Sequence, residues 1–231
     1  MDKNLLIALC VVVFFVVYTR PHWYLKAKSY IYKPIRYDIS DFPELQVFND
    51  NFQEIRDEFL TITQYINHDK PRAQEVWSGK YVKEANDYLS KNKDLVGWVP
   101  SWQVGAAGGN KRWVNFPLYA LGYKFENNLK QVPKLAKLLE NKPYIKIAGF
   151  SKMLPGANIP PHVDATGMPN GTIAYHLGVD IPEENKCTLV VNGETIYQKQ
   201  GDYIIFESTY VHSADNPTDK DRTILYLEIE V

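Results

Sequence analysis

Cysteine is nearly absent. Two occur in 231 residues, and Cys10 lies inside an apolar run near the N-terminus, leaving Cys187 alone in the globular part. No internal disulfide can form there, which fits a reducing compartment, although exported domains often lack disulfides too. A surplus of either charge is also missing: 26 Lys and Arg stand against 27 Asp and Glu, a net charge of −1, with no long basic stripe. General nucleic-acid binders carry such a stripe, so no nucleic-acid partner is expected. The Gly-rich stretch "VGAAGGN" at 104–110 lacks the Lys-Ser/Thr ending of a phosphate-binding loop and reads as a loop only. There is no internal repeat and no low-complexity tract.

What is present can build a core. The composition is 45% hydrophobic and 13% aromatic, which excludes wholesale disorder, and the length suits one domain with a modest attachment. "LLIALCVVVFFVVY", Leu5 to Tyr18, is an unbroken apolar run between Lys3 and Arg20. It is short for a span of ~17–25 residues, but Asn4, Thr19 and Trp23–Tyr24 extend it into the interface. No small-x-small cleavage site follows Tyr18, so a membrane anchor is expected ahead of a cleaved signal peptide or a buried helix. Arg20, Lys26, Lys28, Lys33 and Arg36 follow the run, and the positive-inside tendency then puts the rest of the chain on the cytoplasmic side. The organisation expected is an anchor at 1–24, a tether at 25–44 and one domain at 45–231.

Within that domain, Phe48, Phe52, Ile55, Phe59, Ile62 and Ile66 recur at threes and fours, predicting a helix over 45–66. A second helix is predicted over Glu126 to Leu139, with Pro133 in its first turns or breaking it. From residue 143 onward short β-rich runs follow one another: "YIKIAGFS", "TIAYHLGVDI", "CTLVV", "ETIYQ", "DYIIF", "TYVHSA" and "RTILYLEIEV". Asn192-Gly193 between two of them marks a tight hairpin. So many short strands in so few residues predict a mainly β sandwich or jelly roll over about 143–231, with helices flanking it.

Chemistry concentrates in His162, Asp164 and His212. Residues i and i+2 of a strand project to one side, so His162 and Asp164 can reach one metal ion, and a neighbouring strand carrying His212 supplies the third ligand. Two imidazoles and a carboxylate on one octahedral face leave three positions open, the arrangement of non-haem Fe(II) oxygenases. A His-x-Asp pair alone is common, and beside two prolines it also reads as a plain loop. Arg222, ten residues after His212, strengthens the first reading. Enzymes that use 2-oxoglutarate need a fixed cation for its far carboxylate, which Arg grips with two parallel hydrogen bonds. The bland alternative is a solvated strand-edge arginine paired with Asp219 or Asp221.

The segments "GFSKMLPG" (149–156), "PPHVD" (160–164), "YHLGVDIP" (175–182), "QGDYIIFESTYVHSADN" (200–216) and "DRTILYLEIE" (221–230) resemble, in content and order, the aspartyl/asparaginyl β-hydroxylase family. The resemblance extends from about Trp113 to the C-terminus, is fainter around "FNDNFQEIRDEF" and is absent in the apolar N-terminal run. It implies a 2-oxoglutarate- and Fe(II)-dependent dioxygenase on a double-stranded β-helix, with His162 and His212 as iron ligands. It also implies that Arg222 binds 2-oxoglutarate, assisted by Ser151 and His176, with Trp113 lining the co-substrate pocket. Without the resemblance, His176 reads equally as a buried core histidine. Two departures stand out. The animal peptide hydroxylases of the family have glycine where this chain has Asp164, whereas the bacterial lipid A acyl-chain hydroxylases keep the carboxylate and a short anchor. Family members often place arginine two residues before the histidine of "HLG", and here that position is Ala174.

The function expected is thus a membrane-anchored hydroxylase that consumes 2-oxoglutarate and O2, forms succinate and CO2, and hydroxylates an unactivated C–H bond. A cupin-like metal enzyme without 2-oxoglutarate and a non-enzymatic jelly-roll module are the rivals. Arg222 and Ser151 speak against the first and the intact triad against the second. For substrate, a peptide Asp/Asn side chain, a lipid acyl chain and an unrelated small molecule stay open. Asn170-Gly171-Thr172 is a glycosylation sequon beside the expected site, where a luminal glycan would crowd the entrance, so it leans toward the cytoplasmic orientation.

Overall fold

Alternating apolar residues on the strands meet two different partners, helices on one side and a second sheet on the other. The computed structural model describes residues 33–62, 94–100, 112–120, 122–164 and 172–230. Ile35–Val231 form one compact unit. The apolar run Leu5–Tyr18, the Gly-rich loop at 104–110, the end of the first predicted helix beyond residue 62, and Asn170-Gly171 of the sequon lie outside the described residues. Among the described residues no helix is long and apolar enough to cross a membrane.

The strands are β1 (Arg36–Tyr37), β2 (Val99–Pro100), β3 (Trp113–Ala120), β4 (Tyr123–Lys124), β5 (Ile145–Met153), β6 (Ala157–His162), β7 (Thr172–Asp180), β8 (Thr188–Val191), β9 (Glu194–Tyr197), β10 (Tyr203–Glu207), β11 (His212–Asn216) and β12 (Arg222–Glu230). A larger sheet runs β1-β10-β7-β12-β5-β3-β2 with β4 added beside β3, and a smaller one runs β6-β11-β8-β9. All pairings are antiparallel. From β5 on, the chain passes back and forth between the two sheets, which makes the expected jelly roll. The larger sheet begins earlier in the chain than residue 143, because β3 lies against β5 from Trp113↔Met153 to Ala120↔Ile147. The hairpin at Asn192-Gly193 has positive φ at both residues, 47° and 85°, as the tight turn between β8 and β9 requires.

Both predicted helices are broken in two. The first is α1 (Gln46–Asp50) and α2 (Phe52–Leu60), interrupted at Asn51. The Asn51 side chain donates to the Val47 carbonyl at 2.8 Å, taking the acceptor that a continuing helix would offer to its own backbone N–H. The second is α3 (Glu126–Leu129) and α4 (Pro133–Leu139). Pro133 opens α4 and pushes Val132 out of the helical region, to φ −131° and ψ 61°. Glu58 of α2 locks the helices together, its two carboxylate oxygens accepting from Lys134 N at 2.7 Å and Leu135 N at 2.9 Å.

These helices cover the outer face of the larger sheet. Leu45, Phe48, Ile55, Phe59, Leu135 and Leu139 pack with Phe150, Tyr175, Leu177, Leu225, Leu227 and Ile229 in one buried cluster. Burying each such side chain contributes about 1.5–3 kcal/mol. The inner face meets the smaller sheet through Met153, Ala174 and Phe206 against Ile159, Leu189, Val191 and Ala214. Gly178, in the "HLG" stretch, has a packing reason to be glycine. A Cβ there would lie 2.0 Å from the Lys199 carbonyl oxygen, because the Gly201 amide donates to the Gly178 carbonyl at 2.8 Å.

Candidate metal centre

His162 ends β6 and His212 begins β11, and the two are direct partners across that pair. Pro160 and Pro161 precede His162 and donate no backbone hydrogen bond. Their strand tolerates this because β6 is the edge of the smaller sheet. That is also why β6 reads as a loop in the sequence. The pairing is irregular between His212 and Ala214, where the Pro160-Pro161 stretch carries one extra residue on the β6 side. Asp164 lies just beyond β6, held by its amide donating to the Ser208 carbonyl at 3.0 Å.

The three side chains converge. Each offers one ligand atom, and these atoms lie within 4.8 Å of one another. His162 Nε2 is 3.6 Å from Asp164 Oδ1, and His212 Nε2 is 3.4 Å from Asp164 Oδ2. Each ring turns its other nitrogen to a main-chain carbonyl: His162 Nδ1 is 2.8 Å from Pro160 O and His212 Nδ1 is 2.9 Å from Tyr210 O. A carbonyl only accepts, so Nδ1 carries a proton on each ring, and both Nε2 atoms face the carboxylate, where each can bind a metal ion once it carries no proton. Donating Nδ1–H to a carbonyl is how metal-binding histidines are normally oriented, and two imidazoles with one carboxylate suit a divalent first-row metal. The donor set fits a bound Fe(II).

The electrostatics agree. Burial and the neighbouring His212 hold the His162 pKa below the usual histidine value, keeping its ring neutral at neutral pH. Burial would raise the Asp164 pKa, but the hydrogen bond and charge of His212, with His162 and Tyr226, bring it below the usual carboxylate value. Burial pulls the His212 pKa down, yet Asp164 outweighs it and leaves the ring easier to protonate than a free histidine.

The remaining sequence-selected residues line the inner face of the larger sheet. Trp113 and Ser151 are joined, indole Nε1 donating to the Ser151 hydroxyl at 2.9 Å, and the Trp113 ring lies 6.5 Å from that of His162. His176 packs edge-on against Phe206 and beside Tyr226, at ring distances of 5.0 and 5.5 Å. Burial first, then Arg222 and His212, lower its pKa well below the usual value, so the ring is neutral and lies close to both of those residues. Ala174, where a family arginine is often found, lies opposite Phe206 and Glu228 on the flanking strands.

Arg222 is not a solvated edge residue. It is 1% exposed, among the largest fully buried side chains, and Asp221 pairs with Lys152 instead. Its Nε donates to Gln198 Oε1, while its Nη2 has no hydrogen-bond partner among the described residues. Burial lowers its pKa to about 10, so it stays charged at neutral pH. No carboxylate among the described residues pairs with it.

Three inner-facing residues escape sequence reasoning. The Tyr226 hydroxyl lies 3.3 Å from Asp164 Oδ2 and 3.4 Å from buried Glu228 Oε2, so it props the carboxylate of the triad. Both residues continue the face that Arg222 begins on β12, at i+4 and i+6, and that spacing was a readable signal. Gln198 carries none: it sits between Tyr197 and Lys199 at the end of β9, and only the folded chain brings it to Arg222.

The chain resembles known proteins over about half its length. The chain is 33% identical over 129 residues to an ornithine lipid ester-linked acyl 2-hydroxylase of Rhizobium tropici, covering 55% of this chain and 45% of that protein. It is 31% identical over 124 residues to the mouse (Mus musculus) aspartyl/asparaginyl β-hydroxylase, covering 51% of this chain and 16% of the relative. The matched stretch thus spans less than half of either relative. A solved oxidoreductase of the 2OG-Fe(II) oxygenase family from Burkholderia pseudomallei overlays with a TM-score of 0.42 at 15% identity, covering 52% of this chain and 68% of that one. Residues 49–231 match the family model for aspartyl/asparaginyl β-hydroxylases, and the chain belongs to that family.

Proposed function

We propose that this chain is an Fe(II)- and 2-oxoglutarate-dependent hydroxylase, with His162, Asp164 and His212 holding the metal. The observation that carries the co-substrate is the buried, charged and carboxylate-free Arg222 in the chamber of the triad. An isolated cation in a protein interior is strongly disfavoured unless something anionic joins it. A dicarboxylate that reaches from the metal to Arg222 meets that need, which a cupin-like enzyme without 2-oxoglutarate or a non-enzymatic module leaves unmet.

When bound, Fe(II) with 2-oxoglutarate and O2 supplies the oxidising chemistry that turns C–H into C–OH and releases succinate and CO2. The protein's part is positional. His162, Asp164 and His212 would hold the metal through three ligands, which would leave it positions for the co-substrate and O2. Trp113 donates to the Ser151 oxygen, so the Ser151 hydroxyl proton is free to point at a carboxylate of the co-substrate. His176, neutral and with Nδ1 unpartnered, offers one further hydrogen bond without adding charge. The aromatic wall of Trp113, Phe206 and Tyr226 keeps bulk water from reactive groups.

The substrate in this reading is a peptide Asp/Asn side chain or a lipid acyl chain, and Asp164 favours the acyl chain. The carboxylate is the feature shared with the acyl-chain branch, and a relative over half of this chain is named for acyl 2-hydroxylation. Leu5–Tyr18 is the proposed single-pass anchor, with the catalytic domain on the cytoplasmic side. The chain should then fractionate with membranes and resist a high-salt wash, and N-terminal sequencing beginning near Arg20 would remove the anchor. The test of function is anaerobic loading with Fe(II), then addition of oxygen and 2-oxoglutarate, with succinate measured in the presence of acyl lipids or Asp/Asn peptides. No stimulation of succinate by either class would overturn the reading.

A further inference from the structure

Arg222 does not stand alone at its end of the barrel. Gln198 is 2% exposed, and its side-chain oxygen accepts from Arg222 Nε. Arginine only donates, so this contact fixes which end of the Gln198 amide is which: Oε1 toward Arg222, Nε2 away from it. Gln198 Nε2 is itself buried and has no hydrogen-bond partner among the described residues, as is true of Arg222 Nη2. Two buried N–H donors on linked side chains thus have nothing to donate to. Buried donors are rarely left this way, and two on linked side chains call for a shared partner. One side chain comes from the larger sheet and the other from the end of a strand of the smaller sheet, so the pair bridges the two layers at the mouth of β12.

We infer that Gln198 and Arg222 form a two-residue clamp for one carboxylate, with Gln198 Nε2 and Arg222 Nη2 each donating to it, and that Gln198 helps select a diacid co-substrate over a monoacid. The inference rests on the 2-oxoglutarate reading above and adds a residue to it. Gln198 has a second duty in the clamp. By occupying Nε, it turns the guanidinium so that its remaining edge faces the chamber.

The test uses the full chain loaded with Mn(II), calorimetric titration of 2-oxoglutarate, and thermal unfolding of the ligand-free protein. Gln198→Met removes one donor to a charged acceptor and should weaken 2-oxoglutarate binding about 10- to 100-fold. Gln198→Glu keeps the shape and gives Arg222 an internal counter-ion. It should weaken binding by roughly 100-fold or more while melting at or above the wild-type temperature. Mn(II) affinity should be unchanged in both. The monoacid 2-oxopentanoate, of equal length but without the far carboxylate, should bind wild type and both variants alike, whereas a merely structural role would weaken both acids in proportion. Tight 2-oxoglutarate binding by wild type and by Gln198→Glu within about twofold would overturn the clamp and leave the proposed function standing. No binding by wild type would remove the co-substrate reading, and the clamp with it.

Discussion

Replacing Arg222 by methionine should move stability and co-substrate binding independently, and that separation distinguishes a ligand-binding cation from a structural one. The guanidinium is fully buried, with one hydrogen bond to Gln198 and no carboxylate partner among the described residues. Exchanging buried charge for an apolar side chain of similar length commonly gains about 1–4 kcal/mol. Against this, Gln198 Oε1 loses its partner, at about 1–3 kcal/mol. The ligand-free variant should therefore lie between about 2 kcal/mol less and 3 kcal/mol more stable than wild type, from those same ranges. A buried ion pair broken at one end would instead lose ~3–5 kcal/mol. Binding behaves differently. The variant lacks the charged contact to the far carboxylate, worth roughly 1.5–3 kcal/mol, and should bind 2-oxoglutarate about 10- to 100-fold more weakly. Arg222→Lys should recover only part of this, since an ammonium has the charge without the planar fork. Urea unfolding of the ligand-free chain gives the first quantity and calorimetric titration with Mn(II) the second. A destabilisation near 4 kcal/mol with unchanged 2-oxoglutarate affinity would refute the reasoning and make Arg222 a structural residue.

Asp164→Gly should abolish turnover and lower Mn(II) affinity by tenfold or more, on the order of one lost charged ligand; full activity would mean a two-histidine centre suffices here. Metal affinity should fall as pH drops below neutrality. A metal ion needs His212 without its proton, and the raised His212 pKa keeps that proton competing up through the range just above its usual value of ~6.5. In the metal-free protein the sign is the reverse: the His212 contribution to stability is full below ~6.5 and is lost as pH rises through the raised value. Mn(II) titrations across pH test the first, and Asp164→Asn should shift its onset to lower pH by removing the group that raises His212. Gly178→Ala should destabilise the fold by about 3 kcal/mol or more, because the new methyl group meets the Lys199 carbonyl oxygen, which is main chain and cannot swing away. A melting temperature within a degree or two of wild type would contradict this close approach.

His162 and Asp164 were legible as a pair because two residues apart they reach one point, although Asp164 does so from just beyond the end of β6 rather than from the strand itself. The seven β-rich runs were likewise legible at short range, as periods of two between turn residues. What escaped depended on local competition or on distant partners. Asn51 ends a helix whose apolar period continues unbroken, because a side-chain amide replaces the backbone donor at the Val47 carbonyl. Pro160 and Pro161 look like a loop, yet an edge strand needs no inward N–H from them. Gln198 and Arg222 are 24 residues apart, and their contact follows from how β9 and β12 are set in opposite sheets, which no spacing rule records.

The last strand shows how the chamber came to be polar. β12 lies inside the larger sheet, between β5 and β7, and both of its faces are covered. Its outer residues Leu225, Leu227 and Ile229 join the helix-side cluster, as a doubly buried strand demands. On the inner face the same rule would call for apolar residues throughout, and Ile224 obeys it, but Arg222, Tyr226 and Glu228 do not. Arg222 and Glu228 are buried and Tyr226 is half-buried, so each answers at least partly to something inside. Tyr226 answers to Asp164 and Glu228, at one end of the row. Arg222, at the other end, has only a neutral amide. The row therefore runs from the metal triad to an unneutralised cation. Under the proposed function, a small anion long enough to touch both would make that polarity consistent with burial.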